Sequence, residues 1–181
     1  MQNIAPVEME NTDDVTTATL NAVKEKLGML PNLFTTLAHS PVALNSYLQQ
    51  TETLSKGHLS SRQREIVAIA IAQENACEYC LSAHVAIGKG VGLSDDDIGR
   101  ARLGKAHDPL DDAVATFATQ VVQTRAELSG DAIKAARQAG LDDGLIAEII
   151  ANISVNVMTN YMNRIAGTVV DFPVTKLLAA N

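Results

Sequence analysis

Tryptophan is absent from this 181-residue sequence, and phenylalanine and tyrosine occur only three times each. Strands favour aromatic and β-branched residues, so this scarcity disfavours a fold built on sheets. Apolar residues make up 46% of the chain and are mostly alanine, leucine, isoleucine and valine. That amount of apolar material is sufficient for one buried core, and alanine and leucine are good helix formers. The composition therefore predicts an all-α protein.

Three further absences limit the classes of function. The longest uninterrupted apolar run, residues 66–72, is far shorter than the roughly 20 residues of a transmembrane helix. The chain has no basic cluster and a formal net charge of −7, which disfavours a nucleic-acid partner. The amino-terminal stretch MQNIAPVEMENTDDV has no positively charged segment followed by an apolar one, the pattern of a secretory signal. We therefore expect a cytoplasmic protein without a membrane or nucleic-acid partner, whose thiols stay reduced.

Helix-start and helix-end residues divide the chain into nine predicted helices. Residues 1–16 are expected to form a polar, poorly determined lead-in. Ser60 and Gln63 have capping-box spacing, Ser94 precedes three aspartates as an N-cap, and Gly140 suits a helix end. Helices are predicted at about 17–29, between Pro31 and Pro41, from Pro41 to about Ser55, from Ser60 onward, from Cys77 to about Ile87, after Ser94, and at about 109–128, 130–139 and 143–167.

A weak internal repeat is also present. Sliding the chain by 83 residues places EIVAIAIAQENACEYCLSAH over EIIANISVNVMTNYMNRIAG, so that Glu65 meets Glu148 and the two cysteines meet Asn160 and Asn163. The alignment has few identities. We interpret the chain as a single domain over residues 1–181, with a cysteine-bearing unit at about 57–90 and a degenerate second copy at about 140–170.

Both cysteines of the chain lie in NACEYCLSAH, residues 75–84. A structural disulfide between them would close a very short loop and contribute only about 2 kcal/mol. A zinc site would use two thiolates and His84, but it needs a fourth ligand, which only Glu65 or His58 offers. A reactive thiol is the third alternative, and it accounts for more features of the stretch.

The spacing of this stretch favours the reactive thiol. Positions 77, 80 and 84 fall on one helical face, and Cys80 and His84 form an i, i+4 pair whose Cβ atoms lie about 5–6 Å apart. An imidazole at that distance can accept the proton of the thiol. A helical hairpin that reverses near Asn75 would bring Glu65 level with His84, where the carboxylate can orient the ring. Alternatively, Glu65 pairs with a neighbouring arginine on the helix surface.

Glu65, the CEYC motif and His84 together resemble the signature of the AhpD-like alkylhydroperoxidases, which are part of the carboxymuconolactone decarboxylase superfamily. PNLFTTLAHSP and NYMNRIAGTVVDFP are similar to the peroxidase-related branch of that superfamily. The resemblance extends over about residues 25–175 and implies an AhpD-like helical fold. It also implies a homo-oligomer that needs no cofactor or metal.

The resemblance implies a role for each matching residue. Cys80 would be the thiolate that attacks a hydroperoxide, Cys77 the resolving thiol, and His84 the proton relay supported by Glu65. Well-studied AhpD proteins have a histidine where this chain has Tyr79, which is a poor base at neutral pH and is at most a supporting residue.

The implied function is reduction of a small alkyl hydroperoxide, with electrons from an unidentified dithiol that in some relatives belongs to a lipoylated protein. The alternatives are a dithiol–disulfide oxidoreductase acting on a protein or lipoyl partner, and a non-catalytic thiol sensor or metal-binding module.

Four asparagines form a further pattern in the last predicted helix. Asn152, Asn156, Asn160 and Asn163 recur at spacings of four, four and three residues, so they lie along one helical face. Asparagine is a poor helix former, which implies that these side chains have hydrogen-bonding partners. We expect an internal or inter-subunit network, or a contribution to the wall of the active site.

Overall fold

The computed structural model describes residues 2–179, and over these residues the protein consists of helices without strands, as the composition predicts. A short 3-10 helix at Met9–Asn11 precedes the first α-helix. The α-helices are α1 (Asp14–Leu27), α2 (Asn32–Leu37), α3 (Pro41–Leu54), α4 (Ser61–Glu74), α5 (Glu78–Gly90), α6 (Asp95–Ala101), α7 (Pro109–Thr124), α8 (Gly130–Gln138) and α9 (Asp143–Ala166). Within the described part of the chain, none of these helices is both long and apolar enough to cross a membrane.

Helix α4 lies at the centre of the protein, because its segment 66–72 is apolar on every side. All seven residues of its segment 66–72 are buried, and the helix packs against α5, α7 and α9. Ile66, Ile69 and Ala72 face a core that also holds residues of α1, α2 and α5, and this core surrounds the cysteines. Val67 and Ile71 face a second core, formed with α7 and α9. Helix α4 therefore forms the buried surface against which the cysteine-bearing helix α5 packs.

The capping residues were predicted correctly. Ser60 and Gln63 form the reciprocal capping box of α4, and Ser94 forms one with Asp97 at the start of α6. Gly140 follows α8 with a φ of 103°, a left-handed conformation that glycine adopts without strain.

Several predicted helix boundaries were wrong by a few residues. Helix α1 begins at Asp14 instead of residue 17, because the Asp13 carboxylate accepts the Thr16 N–H at 2.9 Å and caps the helix earlier. Helix α7 ends at Thr124 instead of residue 128, since Arg125 takes a left-handed conformation with a φ of 55°. Helix α5 continues beyond Ile87 to Gly90.

The lead-in is held against the body of the protein by backbone hydrogen bonds. The N–H groups of Asn3 and Ile4 donate to the Ala166 carbonyl at 2.7 and 3.1 Å, and Val7 N–H donates to Thr35 O at 3.2 Å. The first residue of the predicted lead-in, Met1, lies outside the described residues. The single-domain organisation and the internal duplication stay predictions.

Candidate active site

The hairpin of α4 and α5 brings Glu65 and His84 together. The chain reverses at residues 75–77, and Nδ1 of His84 lies 2.8 Å from Oε2 of Glu65. Both side chains are largely buried, with 20% of His84 and 15% of Glu65 exposed. Glu65 therefore does not form the surface pair with an arginine that was its alternative. A carboxylate in this position holds the ring so that its second nitrogen, Nε2, is free for other contacts.

Cys77 forms the joint between the two helices. Its N–H donates to the Ala72 carbonyl at 2.9 Å and closes the end of α4, while its sulfur accepts the N–H of Cys80 at 3.3 Å and caps α5. Between the helices, Ala76 has a φ of 51°, a left-handed conformation that is costly for a residue with a side chain. Cys77 precedes α5 as its N-cap with an extended backbone, so the predicted helical spacing applies within the helix only to Cys80 and His84.

Cys80 lies inside the first turn of α5, and the two cysteines are joined by a disulfide, with their Cα atoms 5.3 Å apart. Both residues are nearly inaccessible, since only 1% of Cys77 and 3% of Cys80 is exposed. The two cysteines differ, however, in whether they border a pocket. Cys80 lines a pocket that reaches the surface, and Cys77 is not among the residues that line it.

This pocket has a volume of about 330 Å³, and its wall contains His84 as well as Cys80. Pockets of this size bind small organic molecules. Most of the remaining wall is apolar and comes from α1, the α1–α2 loop, α2, α3, α5 and the carboxy-terminal segment: Val23, Leu27, Met29, Pro31, Leu33, Phe34, Leu48, Ala83, Ile87 and Phe172. The polar residues of the wall are Lys26, Tyr47, Thr51, Tyr79, Thr159 and Asn163.

Tyr79 takes part in packing rather than in the Glu65–His84 pair. Its hydroxyl accepts the Leu33 N–H at 3.1 Å, and its ring lies edge-on to Phe172 with the centroids 5.8 Å apart. Burial raises the pKa of Tyr79 far above its usual value, and the nearby Asp171 carboxylate acts in the same direction. The phenol is therefore neutral over the physiological pH range and is no base.

Tyr47 is a pocket residue that the sequence analysis missed. It comes from α3 and packs against Phe34, with the ring centroids 5.7 Å apart. Burial raises the pKa of Tyr47 to about 12, and the charge of Glu65 adds to the shift. A single tyrosine in an amphipathic helix carries no sequence signal that separates it from ordinary core packing.

The asparagine stripe is buried, and its members have different partners. Asn152 and Asn156 donate to backbone carbonyls one turn earlier in α9, and Asn160 accepts a hydrogen bond from the Asn75 side chain at 3.0 Å. Asn163 instead donates from Nδ2 to the sulfur of Cys80, at 3.3 Å. The stripe is therefore an internal network at one end and part of the pocket wall at the other.

In the described part of the chain, no group of three or more histidine, cysteine, aspartate or glutamate side chains is arranged to hold a metal ion. His58, one of the two candidates for a fourth ligand, is 88% exposed and lies beside Glu148. The other candidate, Glu65, is bound to His84.

Comparison with known proteins agrees with the all-α architecture. A model of the carboxymuconolactone decarboxylase family matches residues 42–124, the segment that contains Glu65, both cysteines and His84. No curated protein matches the chain significantly.

Two solved structures of uncharacterised peroxidase-related proteins are similar over the whole fold. The protein from Ralstonia eutropha, described as an alkylhydroperoxidase AhpD core, is 25% identical with a TM-score of 0.82 over 94% of both chains. The protein from a Silicibacter species is 22% identical with a TM-score of 0.81 over 93% of this chain and 92% of the other. The debrominase Bmp8 shares the fold, with 16% identity and a TM-score of 0.78 over 93% and 92% of the two chains.

Proposed function

We propose that this chain is a member of the AhpD-like carboxymuconolactone decarboxylase superfamily and reduces alkyl hydroperoxides with its two cysteines. One observation carries the proposal: Cys80 is the cysteine that lines the apolar pocket, and His84, oriented by Glu65, lines the same pocket. A thiol, a base and an orienting carboxylate around one cavity are the elements of an activated sulfur nucleophile.

In the first step, His84 accepts the proton of Cys80, and the thiolate attacks the terminal oxygen of the hydroperoxide. The O–O bond breaks, and the departing alkoxide takes the proton back from His84 and leaves as an alcohol. Cys80 becomes a sulfenic acid. Glu65 stabilises the transient positive charge on the ring, because its carboxylate lies 2.8 Å from Nδ1.

In the second step, the Cys77 sulfur attacks the Cys80 sulfur, the S–O bond breaks, and water leaves with the proton of Cys77. The product is the disulfide that joins the two residues in the structure. The position of Cys77 suits this role, since it is outside the pocket wall but at bonding distance from Cys80. An external dithiol then reduces the disulfide and is itself oxidised.

The pocket favours an apolar substrate. Its wall consists mainly of aliphatic and aromatic side chains. An alkyl or aryl hydroperoxide would bury its apolar surface against them, and this transfer out of water is favourable. Because only 1% of Cys77 and 3% of Cys80 is exposed, the reductant that suits this site is a slender dithiol, such as a lipoyl group carried by a partner protein. These reactions need reduced thiols, consistent with a cytoplasmic location.

The outer face of α9 supports a homo-oligomer. Ile150, Tyr161 and Ile165 are 47%, 53% and 62% exposed on this helix, and Val169, just beyond its end, is 58% exposed. Exposed apolar groups concentrated in this way are typical of subunit interfaces.

The second candidate is a dithiol–disulfide oxidoreductase with little peroxide chemistry. The same disulfide favours it, because a CxxC pair can exchange electrons with a partner dithiol without a hydroperoxide. A sensor without turnover is the remaining alternative. Stopped-flow measurement of tert-butyl hydroperoxide consumption by the reduced protein separates the peroxidase from the oxidoreductase, and consumption of many equivalents in the presence of a dithiol separates it from the sensor.

Substitution of each cysteine tests the assignment of the two thiols. We expect Cys80→Ser to abolish consumption of the hydroperoxide, because it removes the attacking sulfur. Cys77→Ser leaves the attack intact but removes the resolving thiol, so a sulfenic acid accumulates on Cys80 and is labelled by dimedone. Mass spectrometry locates the label, and a label on Cys77 in the Cys80→Ser variant instead would reverse the two roles.

A further inference from the structure

We propose that Asn163 is the hydrogen-bond donor that stabilises the thiolate of Cys80. The proposal rests on the proposed function in taking Cys80 as the reacting sulfur. Asn163 projects from α9, 83 residues away in sequence, and its Nδ2 lies 3.3 Å from the Cys80 sulfur. The side chain is only 3% exposed, so water does not compete effectively for this contact.

The two sulfurs otherwise have unequal surroundings. The sulfur of Cys77 stands at the N-cap of α5 and accepts a backbone N–H, the usual device for stabilising a thiolate. Cys80 is three residues further along, and the N–H of its own residue is already used by Cys77. Without another donor, Cys77 would be the more easily ionised thiol, and the pocket would present the less reactive one. Asn163 supplies the missing donor to the sulfur that faces the pocket.

The hydrogen bonding of Asn163 indicates that stability is not the reason for its position. The other amide atom, Oδ1, is buried and has no hydrogen-bond partner among the described residues. A buried polar atom without a partner lowers stability, and such groups are retained mainly where they serve a purpose. The Cys80 sulfur is the sole partner of the Asn163 side chain in the described structure.

The contact strengthens when the disulfide is reduced. A disulfide sulfur is a weak acceptor, whereas a thiolate carries a full negative charge and is a strong one. Because Nδ2 already points at the sulfur in the disulfide form, no rearrangement is needed when the charge appears. A hydrogen bond to a charged group changes its ionisation equilibrium about 10- to 100-fold, equivalent to about one to two pH units.

The test is the pH dependence of iodoacetamide alkylation at Cys80, measured in the Cys77→Ser protein so that one thiol remains. We expect Asn163→Leu, which has a similar shape without the donor, to raise the alkylation midpoint by about one to two pH units. Asn163→Ala, which removes the donor without adding a charge, should raise the midpoint by a similar amount. Asn156→Leu is the matched control, because Asn156 is a buried asparagine of α9 whose side-chain amide donates to the Asn152 carbonyl instead of to a sulfur.

Midpoints within about 0.3 pH units of the parent in both Asn163 variants would overturn the proposal. If Asn163→Leu does not fold, Asn163→Ala decides. No hydroperoxide is used, so a parent with a low midpoint that consumes no hydroperoxide would refute the proposed function and leave the role of Asn163 standing.

Discussion

Removal of the negative charge of Glu65 should decrease the rate of hydroperoxide reduction about tenfold. Its contact with His84 is short, at 2.8 Å, and both groups are largely buried, so solvent screens their interaction weakly. A hydrogen bond to a charged group contributes about 1.5–3 kcal/mol and a neutral one about 0.5–1.5 kcal/mol. Losing the charge but keeping the hydrogen bond therefore costs about 1–1.5 kcal/mol. If the ring is positively charged in the transition state, this corresponds to about a 5- to 13-fold decrease in rate.

Glu65→Gln makes this change, since its amide oxygen can still accept a hydrogen bond from Nδ1 of His84. We expect the second-order rate constant for tert-butyl hydroperoxide, measured by stopped flow, to fall about tenfold. Glu65→Ala also removes the acceptor that orients the ring, and its rate should fall further, by about 10- to 100-fold in total.

Glu52→Gln is the matched control for a general effect of negative charge. Glu52 is on α3, where it pairs with Lys56 at 3.0 Å, and 65% of its side chain is exposed. We expect its rate to equal that of the wild type. An undiminished rate in Glu65→Gln, or an equal decrease in Glu52→Gln, would refute the role of the carboxylate.

Two further predictions concern the stability of the region around the cysteines. Ala76→Gly should raise the free energy of unfolding by about 0.5–1 kcal/mol, because the left-handed φ of 51° costs alanine about 1–2 kcal/mol and the flexibility of glycine offsets part of the gain; a lower urea midpoint would contradict this. Tyr79→Phe should lower the free energy of unfolding by about 1–3 kcal/mol, because it leaves the buried N–H of Leu33 without its acceptor. A Tyr79→Phe protein with wild-type urea stability but much slower hydroperoxide reduction would instead place the hydroxyl in the proton relay.

The parts of the fold that sequence predicted best are those determined by neighbouring residues. The capping boxes at Ser60 and Ser94 are local hydrogen bonds over three residues, and the structure contains both of them. The approach of Glu65 to His84 is also nearly local, because a hairpin requires only the position of its turn. The errors at Asp13 and Arg125, of three and four residues, have a different origin. Several caps and helix ends of similar energy compete within one turn of helix, and the sequence does not show which of them forms.

The remaining part of the site depends on contacts between distant segments. Tyr79 reaches Leu33 across 46 residues, and Asn163 reaches Cys80 across 83. Helical periodicity showed that the asparagines share a face of α9, but not which helix that face would meet. Only the packing of α9 against α4 and α5 determines that one asparagine meets a sulfur and the others meet backbone or amide groups.

The positions of the two cysteines explain why their roles should not be interchangeable. Cys77 is tied into the backbone, because its N–H ends α4 and its sulfur caps α5, so its side chain has little freedom to meet a substrate. Cys80 has the opposite arrangement, with a sulfur that borders the pocket and accepts its hydrogen bond from a side chain of another helix. Proximity to the helix start alone would select Cys77 as the nucleophile. Access to the pocket selects Cys80, and access decides, because a more acidic thiol that no hydroperoxide can approach does not react with it.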